Sequence, residues 1–193
     1  MTTVLVPLAA GCEEMEAVIV IDVLRRAGIT VVVAGLEPGT VEASRGVRFV
    51  PDASFADVDV SRCDALVLPG GGPGTARLRA NVAVRRTVVE FVQADKLVAA
   101  VCAAPTVLLD AGVLTARRVT AHPSVHGELE RAGVRVERSQ RVVADGNLVT
   151  SQGPGTCFEF AFALVERLCG AAKVAELNAG ILARIGPNVG RPD

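Results

Sequence analysis

The sequence predicts an α/β fold in which a mostly parallel sheet is covered by helices on both faces. Short runs of β-branched and aliphatic residues alternate with helical stretches along the chain. Two of these runs, 65–70 and 97–101, contain almost no polar residue, as expected of strands that are buried on both faces. Regular alternation of strands and helices is typical of parallel sheets.

The first half of the chain begins with a strand and an amphipathic helix. Met15, Val18, Ile19 and Val23 have the spacing of one buried helical face, and Gly28 ends that helix. The predicted elements are a strand at 3–9, a helix at 13–27, a strand at 29–36, short antiparallel pieces at 40–44 and 47–52 on the sheet edge, a strand at 65–70, a glycine-rich loop and a helix at 82–94.

The second half repeats the pattern and then adds a hairpin, for which the Asp145-Gly146 pair is a turn signal. The predicted elements are a strand at 97–101, a helix at 104–110, a strand at 118–122, an extended arm or hairpin at 134–151, and helices at 156–168 and 174–185. Neither a linker nor an internal repeat interrupts the chain. We therefore expect a single domain over residues 1–193.

Composition narrows the class of partner. The net charge is −1 and the only aromatic residues are six Phe, so the chain lacks the basic surface and stacking groups of nucleic-acid readers. No apolar segment has the ~20 residues of a membrane span, and the N-terminus is unlike a signal peptide. We expect a cytoplasmic protein with reduced thiols, without nucleic-acid or membrane partners. The five cysteines form no C-x-x-C pair, which argues against a structural zinc site.

Cys102 is the first candidate for chemistry, because the segment VCAAP carries a buried strand into a helix. Sites in parallel α/β folds lie outside the carboxyl ends of the strands. A thiol at such a turn faces the amides of a helix N-terminus, which are expected to lower its pKa. The alternative interpretation is a small buried hydrophobic residue.

Three carboxylates open the first helix, in the segment GCEEME. The helix dipole alone explains Glu13 and Glu14. Glu16 lies at the edge of the apolar face, where a carboxyl beside a closed site would have a raised pKa and could exchange protons. A solvated glutamate is the alternative.

The glycine-rich segment LPGGGPG, residues 68–74, follows a buried strand. It lacks the G-K-[ST] of a phosphate-binding loop, and Pro73 removes one amide from any dinucleotide fingerprint. Its free N–H groups are candidates to stabilise an oxyanion, and a simple turn is the alternative.

His122 follows the predicted strand at 118–122 and is a candidate base for Cys102. A metal pair with His126 is disfavoured by Pro123, and His126-Gly127-Glu128 is a weak match to the H-x-E of amidotransferases. We expect neither a metal nor a cofactor.

These segments together resemble the ThiJ/PfpI (DJ) superfamily, and within it the protein deglycase branch. The resemblance covers nearly the whole chain and includes GCEEMEAV, DVLRRAGI, LPGG, VCAAP, TAHP and TSQGPGTCFEFA. It implies a flavodoxin-like three-layer α/β/α sandwich and a homodimer. It also implies roles for individual residues: Cys102 as nucleophile, Glu16 as its hydrogen-bonding carboxyl, His122 near the thiol, Gly71 and Ala103 as oxyanion amides, and Arg26 and Arg45 at a neighbouring anion-binding region.

The sequence departs from the family pattern at four places. Ala104 replaces a glycine after the cysteine, Gln152 stands where relatives have Arg, Cys12 replaces an alanine, and the tail at 185–193 has no counterpart. The extra methyl of Ala104 is expected to narrow the pocket or shift the turn.

The resemblance implies a cofactor-independent cysteine enzyme that acts on reactive carbonyls, of the glyoxalase III or deglycase type. Its substrates would be small aldehydes such as methylglyoxal, converted to lactate, or glycated thiols and amines. An oxidation sensor that uses a Cys102 sulfinate is the first alternative, and a cysteine hydrolase or peptidase is the second.

Overall fold

The computed structural model of the chain describes residues 2–183 and Ile185, in which a sheet lies between two helical layers. The strands are β1 Thr3–Leu8, β2 Thr30–Gly35, β3 Val41–Glu42, β4 Arg48–Phe49, β5 Ala53–Ser54, β6 Ala65–Leu68, β7 Leu97–Val101, β8 Arg118–Val119, β9 Arg135–Val136, β10 Val142–Asp145 and β11 Leu148–Ser151. The helices are α1 Glu14–Arg26, α2 Gly72–Ala80, α3 Val82–Gln93, α4 Pro105–Asp110, α5 Pro123–Arg131, α6 Cys157–Cys169 and α7 Ala171–Ile181.

The main sheet has the strand order β10-β11-β7-β6-β1-β2-β5. Every neighbouring pair is parallel except the hairpin of β10 and β11. The carboxyl ends of β1, β6 and β7 therefore meet at one edge, near the middle of the sheet. Glu16 lies in the first turn of the helix that follows β1, the glycine segment follows β6, and Cys102 follows β7.

Alternate residues of the central strands pack against different helical layers, as the two-residue period of a strand requires. Val4 and Val6 of β1 belong to the core that includes α1 and α6, whereas Leu5 belongs to the core that includes α2 to α5. The predicted α/β sandwich with a mostly parallel sheet is confirmed. None of the described helices combines the length and apolarity that crossing a membrane requires.

Several element boundaries differ from the prediction. The predicted loop before residue 82 contains helix α2, because a proline is tolerated in a first helical turn and Pro73 occupies that position. The predicted antiparallel pieces are β3 and β4, but they form a separate two-stranded sheet, and β5 is the edge strand. The last helix runs over α7, earlier than the predicted 174–185, and the tail lies outside the described residues apart from Ile185.

The predicted strand at 118–122 was also too long and lies outside the main sheet. Only β8 pairs, and its partner is β9. Beyond it, the Thr120 N–H donates to the side-chain hydroxyl of Thr150 in β11 at 2.9 Å instead of to a backbone carbonyl. His122 is consequently the N-cap of α5 rather than the end of a sheet strand.

Candidate active site

Cys102 lies in a strained turn at the carboxyl end of β7. Its φ is +64°, a left-handed conformation that costs a residue with a Cβ roughly 1–2 kcal/mol. Backbone hydrogen bonds hold the turn, since Cys102 N–H donates to Ser151 O at 3.0 Å and Ala104 N–H donates to Val101 O at 3.0 Å. The turn leaves the thiol partly exposed, whereas Cys12, Cys63 and Cys157 are buried.

Glu16 lies in the first turn of α1 and its side chain is fully buried. The Glu13 carboxylate caps the helix by accepting from the Glu16 N–H at 2.8 Å. Of the Glu16 carboxyl oxygens, Oε2 accepts from Gly70 N–H at 2.7 Å, and Oε1 is buried without a hydrogen-bond partner in the described part of the chain. Burial raises the pKa of Glu16 to about 7, although the Gly70 N–H and the Cys102 thiol favour its charged form.

Gly70 is the point at which Glu16 and Cys102 converge. A Cβ on Gly70 would lie 2.6 Å from Cys102 Cβ and 2.6 Å from Glu16 Oε2. Only a residue without a side chain fits between the two groups. The sequence analysis identified the glycine segment but not this contact. The feature that could have indicated it is the run of glycines directly after a buried strand.

The thiol of Cys102 is less acidic than the sequence led us to expect. Burial and the charge of Glu16 raise its pKa to about 12, and the amides of Gly71 and Ala103 only partly oppose them. The expectation that a helix N-terminus lowers this pKa was wrong, because it ignored burial and the carboxylate. The pair therefore shares one proton over a wide range of pH, and a thiolate forms when that proton moves to Glu16.

Gly71 and Ala103 place two backbone N–H groups at the sulfur of Cys102. Gly71 has a φ of +89° and precedes the first residue of α2. A Cβ on it would come within 2.5 Å of Glu13 N and of Gly11 O, so the loop before α1 packs directly on its backbone. Two amides at a nucleophile can hydrogen-bond the oxyanion that nucleophilic attack creates.

His122 reaches Cys102 through its backbone, because its N–H donates to Cys102 O at 2.9 Å. The ring nitrogen Nδ1 accepts from Ser124 N–H at 3.2 Å and lies 2.8 Å from Ser124 Oγ. A neutral imidazole with an accepting Nδ1 carries its proton on Nε2. The ring is therefore arranged as a donor rather than as a base for the thiol.

His126 has a structural role. It is buried and its Nε2 lies 2.8 Å from Ala121 O, a carbonyl that can only accept. Glu128 forms an ion pair with Arg79 at 2.7 Å. Within residues 2–183 and Ile185, no group of three or more His, Cys, Asp or Glu side chains is suited to hold a metal ion.

The structure does not bring Arg26 to the thiol. Arg26 ends α1 ten residues after Glu16, or about 15 Å along the helix axis, and pairs with Asp22 at 2.6 Å. Because α1 runs back along the sheet, Arg26 lies towards the opposite edge from Cys102. A role for Arg26 at a neighbouring anion-binding region stays a prediction.

Arg45 lies closer to the site, in the turn between β3 and β4. Its backbone N–H donates to Glu14 Oε1 at 2.6 Å, while its exposed guanidinium donates to Ser44 O at 3.1 Å. Ser44 N–H in turn donates to Cys12 O at 2.8 Å, so this turn contacts the loop before α1. An anion-binding role for Arg45 stays a prediction.

The three substituted positions have simple structural roles. Ala104 is fully buried in the core on the α2–α5 side. Its methyl therefore does not narrow the thiol pocket, contrary to the expectation from the sequence. Gln152 donates to Arg138 O at 2.9 Å. Cys12 is buried, unlike Cys102, so its thiol is out of reach of a substrate, and burial and Glu14 raise its pKa to about 12.

A partly exposed cysteine at a strained strand-to-helix turn, faced by a buried carboxyl and two amides, defines a class of α/β proteins with a Cys–Glu site. The chain belongs to the DJ-1/PfpI family, whose model matches residues 2–167. The fold is accordingly the flavodoxin-like sandwich of that family.

The relatives agree with this assignment. The chain is 45% identical to Protein dj-1beta of Drosophila melanogaster, over 92% of this chain and 95% of that protein. It is 38% identical to the Glutathione-independent glyoxalase DJR-1.2 of Caenorhabditis elegans, over 86% of this chain and 87% of that protein. The crystal structure of Drosophila melanogaster DJ-1beta superposes with a TM-score of 0.91 at 42% identity, covering 95% of this chain and 99% of that one.

Proposed function

We propose that this protein is a cofactor-independent glyoxalase that converts methylglyoxal and related 2-oxoaldehydes into 2-hydroxy acids. The observation that carries the proposal is the buried Glu16 carboxyl, whose pKa is raised to about 7 by burial, beside the half-buried thiol of Cys102. A general base works best when its pKa is near the working pH. The relative named a glutathione-independent glyoxalase supports the same chemistry.

The first step joins the thiol to the aldehyde. The sulfur of Cys102 forms a bond to the aldehyde carbon while the thiol proton moves to Glu16. The carbonyl oxygen becomes an oxyanion, which the amides of Gly71 and Ala103 stabilise before it takes a proton from Glu16. The product is a neutral hemithioacetal and the carboxylate is regenerated.

The second step is an internal redox reaction. Glu16 removes the hydrogen on the former aldehyde carbon as a proton, and the electron pair forms an enediol with the adjacent carbon. The Nε2–H of His122 is the proposed hydrogen-bond donor to the second oxygen, which takes up the hydroxyl proton that the first oxygen gives up. Return of the other proton from Glu16 to the adjacent carbon gives a thioester of lactate, so one carbon is oxidised, its neighbour is reduced and no external oxidant is needed.

Water completes the cycle. Attack of water on the thioester carbon breaks the carbon–sulfur bond, releases lactate and returns a proton to the Cys102–Glu16 pair. The sum is methylglyoxal plus water giving lactate and a proton. Glycated thiols and amines that release the same dicarbonyl are further proposed substrates of the same site.

Turnover of methylglyoxal tests the proposal. We expect the wild type to form lactate without glutathione, and Cys102→Ser to lose at least about 1,000-fold in kcat/KM, because the alcohol is a much weaker nucleophile. Cys169→Ser is the matched control, since Cys169 is exposed at the far end of α6. Equal rates for the wild type and Cys102→Ser would exclude the proposed function.

An oxidation sensor is the second candidate, favoured by the partial exposure of Cys102 beside a carboxyl that can hydrogen-bond a sulfinate. Under mild peroxide we expect a gain of two oxygen atoms confined to Cys102. Equal oxidation of Cys102 and the exposed Cys169 would argue against a sensor. A peptidase is less well supported, because Nδ1 of His122 already accepts from Ser124.

We also propose that the protein is a homodimer. Met15 and Val18 of α1 are about half exposed, and Val50, which is 81% exposed, lines the same groove as Val18. An apolar patch of this kind is typical of a subunit interface. Sedimentation velocity should give a dimer for the wild type and a monomer for Val18→Glu. A wild type that stays monomeric at high concentration would contradict this proposal.

A further inference from the structure

A cavity of about 470 Å³ lies between α2, α4 and α5, next to the groups that would hold the reacting carbonyl. Gly72 and Ala103 line it, and they follow Gly71 and Cys102 directly. Ser124, the hydrogen-bond partner of His122, lines another part. This volume is in the range of small-molecule pockets, whereas methylglyoxal has only five non-hydrogen atoms.

One side of the cavity is an ion-pair network that ties the three helices together. Arg79 of α2 donates to both carboxylate oxygens of Asp110 in α4, at 2.8 and 3.0 Å, and to Glu128 of α5 at 2.7 Å. Arg79 and Asp110 line the cavity, and each is about one-third exposed. Their free donors and acceptors therefore remain available to a ligand.

The chemistry of this wall selects among ligands. A carboxylate accepts from hydroxyl groups and a guanidinium donates to them, so Arg79 and Asp110 side by side match neighbouring hydroxyls on a carbon chain. The side chains of Arg79, Asp110 and Glu128 together carry one negative charge, which disfavours a phosphate or carboxylate group on the ligand. The exposed alanine Ala76 gives the remaining wall an apolar surface for carbon–hydrogen faces.

We propose that this cavity binds the hydroxylated carbon chain of a sugar-derived 2-oxoaldehyde whose aldehyde carbon reacts at Cys102. The inference rests on the proposed glyoxalase chemistry and names a larger substrate class for it. The carbon chain of the ligand, beyond its two carbonyl carbons, passes Ala103 and lies against Arg79 and Asp110. The bonds made and broken are those of the methylglyoxal reaction, so water is the co-reactant and the product is a polyhydroxylated 2-hydroxy acid.

Binding is tested separately from turnover, in a Cys102→Ser background. The probe is glucosone, the six-carbon 2-oxoaldehyde with four hydroxyls, titrated by isothermal calorimetry. Ala76→Leu places bulk in the cavity from an exposed helical position, where leucine is well tolerated. Ala83→Leu is the matched control, because Ala83 is an exposed alanine of α3 outside the cavity.

We expect Ala76→Leu to weaken glucosone binding at least tenfold and Ala83→Leu to change it less than twofold. With the Cys102 thiol present, the ratio of kcat/KM for glucosone to that for methylglyoxal should fall at least tenfold in Ala76→Leu. Asp110→Asn, which removes a charge at nearly constant volume, should also lower this ratio.

The outcomes separate the subsite from the proposed function. Glucosone binding that is unaffected by Ala76→Leu overturns the subsite, as does a wild type that converts methylglyoxal but neither binds nor converts glucosone. If Ala76→Leu blocks glucosone binding but the protein converts neither compound, the subsite is supported and the glyoxalase function is excluded.

Discussion

Replacing Glu16 with glutamine is expected to lower kcat/KM for methylglyoxal by about 100- to 10,000-fold, the range that a general base contributes. Glutamine can keep the hydrogen bond from Gly70 through its amide oxygen. It cannot take the proton of Cys102 or remove one from the bound substrate. The loss should therefore appear in kcat as well as in kcat/KM.

The same substitution is expected to stabilise the fold at alkaline pH. Burial raises the pKa of Glu16 from 4.5 to about 7, so the folded chain binds this proton more tightly than the unfolded chain. The stability that the protonated carboxyl contributes is complete below about pH 4.5 and is lost as the pH rises through 7. With about 1.36 kcal/mol per pKa unit, the loss is about 3 kcal/mol, and Glu16→Gln does not suffer it.

Urea unfolding of the wild type and Glu16→Gln at pH 5 and pH 8 measures this effect. From pH 5 to pH 8, the free energy of unfolding of the variant should rise relative to that of the wild type. Glu176→Gln is the control, because Glu176 is exposed in α7 and its loss should change stability by less than about 0.5 kcal/mol. If Glu16→Gln is less stable than the wild type at pH 8, the charged Glu16 carboxylate does not destabilise the fold.

Gly71→Ala is expected to destabilise the protein by about 2–4 kcal/mol. The added Cβ would lie 2.5 Å from Glu13 N and from Gly11 O, which are backbone atoms that cannot turn aside. The φ of +89° adds strain for any residue with a Cβ. Because the shift would also move an amide away from Cys102, turnover should fall along with stability.

Gly72→Ala is the matched control for this change. The added Cβ would have no neighbour within 4 Å, and Gly72 begins helix α2, where alanine is favoured over glycine. We expect this variant to be as stable as the wild type or slightly more stable in urea unfolding. Similar losses in the two variants would mean that the contact between Gly71 and the loop before α1 is unimportant.

The sequence pattern was sufficient to predict the parallel sheet and the position of Cys102 at its edge, because buried strands are apolar throughout and the loops after parallel strands share one edge. The pairing of Cys102 with Glu16 was predicted from the family resemblance, since the pattern alone left a solvated glutamate as the alternative. Helix α2 was missed because a segment with four glycines is typical of a turn. Its helix depends on packing, with Leu78 buried against the α2–α5 core.

Other features depend on distances that a sequence does not contain. The pKa of Cys102 reflects burial and the nearby charge of Glu16, which outweigh the amides that the sequence suggested. Arg79 and its two carboxylate partners are 31 and 49 residues apart in the chain.

Cys102 and Glu16 are expected to share one proton and to act as a unit. The rate of iodoacetamide alkylation of Cys102 as a function of pH, in the wild type and in Glu16→Gln, measures this coupling. We expect the wild-type rate to rise up to about pH 7, where the pair loses its first proton, and then to level off, since the pKa of the thiol itself is raised to about 12. Glu16→Gln should lack the inflection near pH 7. A single inflection near the ~8.5 of a free cysteine, identical in both proteins, would show that Cys102 and Glu16 do not share a proton.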